Sequence, residues 1–294
     1  MNKKIILALI TALVIGGGIY CVTSQNKIAS VASDGHTAQI NTDHMMTTPT
    51  SAILAGTRVI VKNTSFKSGS QLLSFELYGK DGDAWSDKAL KISHEKKMHF
   101  IVVSSDFSDY QHVHPEFKNK LWQVQVALKN NMAYQAYVDI DSEEDGAEVL
   151  RVPMTVGTSQ AASKVSQKET TLTKSGIEVQ MNAESGFVTG KENPVIFTLS
   201  KGGKTIIPEY YLGAKGHVVA LGDDPNTFVH GHPDDHGDSE IHFAFSFEKS
   251  GTYTLFAQFQ INGVVTTHPF TISVGNTNGA MNESKAHTDS VPHN

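Results

Sequence analysis

Three histidines and a proline recur in this chain at fixed spacing. His99, His112 and His114, followed by Pro115, return 118 residues later as His217, His230 and His232, followed by Pro233. The intervals of 13, 2 and 1 residues are the same in both. A repeat of this length calls for two similar units in tandem, each with one candidate metal site.

The chemistry follows from strand geometry. Residues two apart on an extended strand point to the same face, so His112 and His114 present their rings side by side, as do His230 and His232. The apolar runs at 99–103 and 110–114 read as strands separated by Ser- and Asp-rich turn material. A hairpin centred on Ser105 and Asp106 sets His99 opposite His112, and one centred on Asp223 and Asp224 sets His217 opposite His230. Three neutral imidazoles converging from two strands, with an open fourth position, suit zinc or copper. A single His-x-His on a strand is often just a polar pair on a wet face; its duplication at fixed register favours the ligand reading. Metal needs neutral imidazole, so copper binding is expected to weaken as pH falls through the ordinary histidine value of about 6.5.

Composition narrows the classes. Thirty acidic against 24 basic residues give a formal net charge of -6, and clustered Lys and Arg of the kind that grips nucleic acid are missing. Residues 1–24 hold two lysines and then an uncharged apolar run, which reads as a signal peptide or membrane anchor, so the protein is expected outside the cytoplasm, extracellular or periplasmic. The one cysteine, Cys21, falls in that leader. If the leader is cleaved after Ser24, disulfides and thiolate ligands are both excluded, which leaves His, Met and carboxylates.

Residues 25–55 are polar and read as a disordered linker; they hold His44, Met45 and Met46. Short strands with turn signals between them then follow at 58–62, 72–78, 121–128, 133–140 and 149–156, besides the histidine strands. The same order returns from 177 to 274. The expected fold is all-β: two tandem immunoglobulin-like β-sandwiches, 56–157 and 169–275, joined by a linker at 158–168 and followed by a disordered tail, 276–294. Tyr253, in Ser250-Gly251-Thr252-Tyr253, fits the tyrosine corner of such sandwiches, with Tyr134 as its counterpart.

The segments His94-Glu95-Lys96-Lys97-Met98-His99 and Tyr110 to Pro115, with Tyr211 to His217 and His230 to Pro233, resemble bacterial exported tandem immunoglobulin-like proteins related to the YtkA-like group. That resemblance covers roughly residues 56–275. It implies the fold, export and an association with heavy-metal handling, copper above all. Leu212 stands near the position of His94, which counts against His94 as a ligand in the second copy.

Met98, Met45, Met46 and Met281 would add soft donors that favour Cu(I), unless Met98 fills the core. Asp106, Asp109, Asp223 and Asp224 either orient imidazoles or simply form turns. The common hydrolase and nucleotide-binding motifs do not occur, so no catalytic residue is assigned. Three readings stand. The first is an exported protein that binds copper, or zinc, through His99, His112, His114, His217, His230 and His232 and acts as a chaperone, buffer or scavenger; its partners would be metal ions and a membrane metal transporter or metalloprotein assembly partner, not nucleic acid. The second is a surface sandwich for adhesion or protein contact, and the third a metalloenzyme of unknown substrate.

Overall fold

A computed structural model describes residues 56–159, 163–183, 185–234 and 239–276. The leader, most of the linker with His44, Met45 and Met46, and the tail with Met281 lie outside the described residues. The first half contributes β1 (Arg58–Val61), β2 (Gly69–Tyr78), β3 (Met98–Ser104), β4 (Tyr110–Val113), β5 (Glu116–Lys118), β6 (Leu121–Leu128), β7 (Met132–Ser142) and β8 (Gly146–Val156). They form two four-stranded sheets, ordered β1-β2-β6-β5 and β4-β3-β7-β8. Alternation builds the layer between them. On β6, Trp122, Val124, Val126 and Leu128 point inward and meet Phe100, Val102, Ala136 and Val138 of the opposite sheet.

The second half repeats the plan with β9 (Thr171–Lys174), β10 (Ile177–Asn182), β11 (Phe187–Val188), β12 (Glu192–Lys201), β13 (Lys204–Ile206), β14 (His217–Gly222), β15 (Phe228–Asp234), β16 (Glu240–Ser246), β17 (Gly251–Ile261) and β18 (Val264–Gly275). It has its own apolar core, rich in Phe197, Phe243, Phe245, Phe259 and Phe270. The protein is thus two tandem immunoglobulin-like β-sandwiches within one compact unit. The Tyr253 hydroxyl donates to the Lys249 carbonyl, 2.8 Å away, which closes the corner read from the sequence.

The halves differ at one joint. In the first, the chain breaks at His114-Pro115 between β4, which pairs with β3, and β5, which pairs with β6. In the second, β15 runs through the matching His232-Pro233, pairing with β14 up to Gly231 and with β16 from His232 onward, so its two sheets are continuous. Proline has no N–H to donate, yet Pro233 still lies in register with Phe243.

The strand β3 explains how the halves meet. All seven of its residues are buried, so it lacks the wet face of an ordinary antiparallel strand. Phe100 and Val102 fill the first core, while Ile101 and Val103 turn to the other half and pack with Val219, Leu221 and Phe256. Tyr110 stacks on Phe256 at 4.2 Å between ring centres, and Phe228 meets Tyr137 at 5.3 Å. Those contacts are reciprocal, because Tyr137 stands opposite Ile101 as Phe256 stands opposite Val219. Each half offers the other the same surface. The segment expected as a free linker is fastened to both hairpins: Val165 N donates to Asp106 O, while Lys164 Nζ reaches Asp223 and lies 4.0 Å above the Phe107 ring.

Candidate metal centre

The register of the histidine hairpins is set by their loops. Ser104 N donates to Asp109 O and Gly222 N to Thr227 O, so each loop holds four residues and is centred one residue later than expected. This moves the pairing by two positions from the one expected: His112 lies opposite Ile101, not His99, and His230 opposite Val219, not His217. A shift of two keeps the face, since side chains alternate with period two. His99 and His112 therefore still share a side, and the side is the one that meets the other half.

Because both triplets sit on that shared surface, they arrive at one place. His99, His112 and His114 each offer a nitrogen, and these three atoms lie within 4.8 Å of one another. The His230 ring of the second half is 5.2 Å from His99 and 6.1 Å from His112, and His217 is 5.9 Å from His112. His94, doubtful as a ligand from the sequence, stands among them at 5.3 Å from His230, 5.8 Å from His217 and 5.9 Å from His99. His232 pairs with Ala244 through its backbone; its side chain lies outside the described part of the structure. Met98 is in the core of the first half, on the face away from His99, and is not a soft donor to this cluster.

Hydrogen bonds fix the tautomers, since a carbonyl or carboxylate oxygen can only accept. His99 Nε2 donates to Ser93 O at 2.9 Å, and in the second half His217 Nε2 donates to Tyr211 O at 2.8 Å, six residues upstream in both cases. The turns that carry those carbonyls are equivalent, closed by bridges between Ser93 and Lys96 and between Tyr211 and Ala214. His112 Nδ1 donates to Gln258 Oε1 at 2.9 Å, with the Gln258 amide group held by Thr267 Oγ1. His230 Nδ1 donates to Asp139 Oδ2 at 2.8 Å. Gln258 is opposite His217 and Asp139 opposite His99. Each half thus orients the second histidine of the other from the same strand position.

Every one of these four rings has spent its proton outward, which leaves His99 Nδ1, His112 Nε2, His217 Nδ1 and His230 Nε2 as bare acceptors. His99 Nδ1 and His112 Nε2 face each other at 2.9 Å; two lone pairs at that distance repel unless a proton or a cation lies between them. His230 Nε2 and His114 Nε2 are buried without any hydrogen-bond partner. A buried acceptor left so costs free energy of about 1–3 kcal/mol, and a cation would satisfy both. Bonds of about 2.0 Å from one ion to imidazole nitrogens put those nitrogens at most about 4 Å apart, against a spread within 4.8 Å in the first triplet. The donor set is all nitrogen and neutral, as copper and zinc prefer.

Burial favours the neutral form of four of these rings. Burial draws His99 down to about 4, His217 to about 4 and His114 to about 3, and drives His112 well below the ordinary value. The four loop aspartates serve the turns instead of the rings. Asp106 accepts from Ser104 and Ser108, Asp109 from Tyr134, Asp223 from Lys164 and Asp224 from Lys249.

Comparison with known proteins adds little to this geometry. Residues 170–276, the second sandwich, match a family described as a domain of unknown function, DUF8832. Among curated proteins, none is similar in sequence to this chain. Solved structures similar to it include the Escherichia coli adhesin FdeC, at 12% identity over 76% of this chain and 65% of that one, with a TM-score of 0.25. Others are invasin, a bacterial integrin-binding protein (10%, 73% and 39%, TM-score 0.22), and domains 5-6 of the S-layer protein SbsC (11%, 75% and 97%, TM-score 0.23). The chain spans less than two thirds of FdeC and of invasin. Scores this low carry nothing about activity or partners.

Proposed function

We propose that this chain is an exported metal-binding protein, for copper first and zinc second, that holds one ion between its two sandwiches and serves as a chaperone, buffer or scavenger. The observation that carries the reading is the set of four outward donors, Ser93 O, Tyr211 O, Gln258 and Asp139 being their acceptors, with four bare nitrogens left among the rings. Orientation of a ligating imidazole through its second nitrogen is the usual support of a metal site. Export rests on the apolar leader at 1–24; among the described residues no helix is long and apolar enough to cross a membrane. The bacterial metal-handling proteins that the histidine segments resemble point the same way.

Metal analysis and calorimetry test it. The shared cluster leads to about one ion per chain, lost alike in His112→Ala and in His230→Ala. Two ions, each variant losing its own, would return the two triplets to separate sites, and no uptake at all would overturn the reading. A second reading is a surface module for adhesion or protein contact with structural histidines. Under it, copper and zinc leave the stability of the protein unchanged.

A further inference from the structure

The two reciprocal orienting positions are chemically unequal. Asp139 carries a negative charge toward His230, whereas Gln258, in the same place on the other half, presents a neutral amide to His112. Among the described residues, the other groups hydrogen-bonded to these rings are an imidazole and backbone carbonyls. Among the described residues, the other charge acting on a ring is that of Lys96, on the His114 side, and it is a cation. His99 and His217 are only 2% and 1% exposed, and the side chains of His230 and Asp139 12% and 20%, so water screens charge there only in part.

The described residues of the site supply one compensating negative charge. A monovalent ion beside Asp139 leaves the pair neutral, while a divalent ion leaves one positive charge unbalanced in a poorly solvated position, where uncompensated charge is expensive. A divalent ion would have to bring an anion of its own. We infer that the site takes a monovalent soft cation, Cu(I), in preference to Cu(II) or Zn(II), and that the single negative charge of the Asp139 and Gln258 pair limits how strong that preference is. Imidazole alone accepts either oxidation state, so the preference resides in the surrounding charge. The inference rests on the metal-binding reading above and adds the charge of the ion to it.

The test uses the full chain loaded with copper and its one-electron midpoint potential, followed spectroscopically during reductive titration. In the unaltered protein the bound copper is expected to be reduced more readily than copper held by free imidazole in water. Asp139→Asn keeps an acceptor for His230 and removes the charge; it should raise the ratio of Cu(I) to Cu(II) affinity at least tenfold, which is about 59 mV for one electron. Gln258→Glu keeps an acceptor for His112 and adds a charge, and should lower the ratio by a similar factor. Opposite signs are the signature, because a structural disturbance has no reason to follow charge. Should one variant fail to fold, the other and the unaltered protein still decide. A potential at or below that of the imidazole complex, or variants that leave it unmoved or shift it against their charge, overturns the inference while metal binding stands. Failure to retain copper in either oxidation state overturns the metal-binding reading itself.

Discussion

Single histidines in this protein are held away from their ordinary chemistry by burial. In the metal-free protein His99 and His217 stay neutral down to about 4, as does His268, which is shut inside the second sandwich with Nδ1 unpartnered. Once unfolded, the same side chains take up protons from about 6.5. The unfolded state then binds more protons than the folded one, so stability is complete above that value and is lost as pH falls from about 6.5 toward 4, at roughly 1.4 kcal/mol per pH unit for each histidine that titrates. Urea unfolding of the metal-free protein at stepped pH should show this slope, and a midpoint flat between those values would disprove it. Metal binding should persist below 6.5 for the same reason, rather than fading there as the free side chain would suggest. The residue types at the site were legible in the sequence. Their supports were not: Asp139 and Gln258 lie 91 and 146 positions from the rings they orient, and no local pattern links residues so distant. His94 drew suspicion because Leu212 breaks the symmetry, yet in a shared cluster one such ring can serve both halves.

Among the elements, β15 shows how a small difference in sequence is paid for in packing. Where the first half reads His112-Val113-His114, the second reads His230-Gly231-His232. A Cβ on Gly231 would lie 2.5 Å from the Phe245 ring and 3.2 Å from the Val218 carbonyl, so the glycine makes room for an aromatic core. Gly231→Val should cost about 1–3 kcal/mol through overpacking and weaken metal uptake by displacing His230; a variant as stable as the original in urea, with unaltered uptake, would refute this. Strand positions and the parity of the histidines followed from alternation alone. The two-residue error in pairing came from centring each loop one residue too early, a position that depends on hydrogen bonds such as Ser104 N to Asp109 O. The run Met98–Ser104 did contain a signal for the interface. Apart from His99 it is apolar without alternation up to Ser104, the pattern of a strand covered on both faces.

For the whole molecule, a site built from both halves makes their stabilities interdependent. Free metal at about 100 times its Kd should add about 2.7 kcal/mol to unfolding and make the two sandwiches unfold in one calorimetric transition. His217→Ala should abolish that metal-induced gain while leaving the two apolar cores intact. A gain that survives the substitution would show that metal acts elsewhere. The repeat itself was plain from the spacing of 118 residues; that its copies face one another was left open by sequence, because spacing carries no information about docking. The reciprocity of Tyr110 on Phe256 and Phe228 on Tyr137 is what two identical subunits would make around a dimer axis. Joining such subunits in one chain replaces a concentration-dependent encounter with an internal one, so the cluster assembles at any dilution. It also frees the halves to diverge. A dimer of identical chains would have to place Asp, or Gln, at both orienting positions, and only a fused pair can hold one of each.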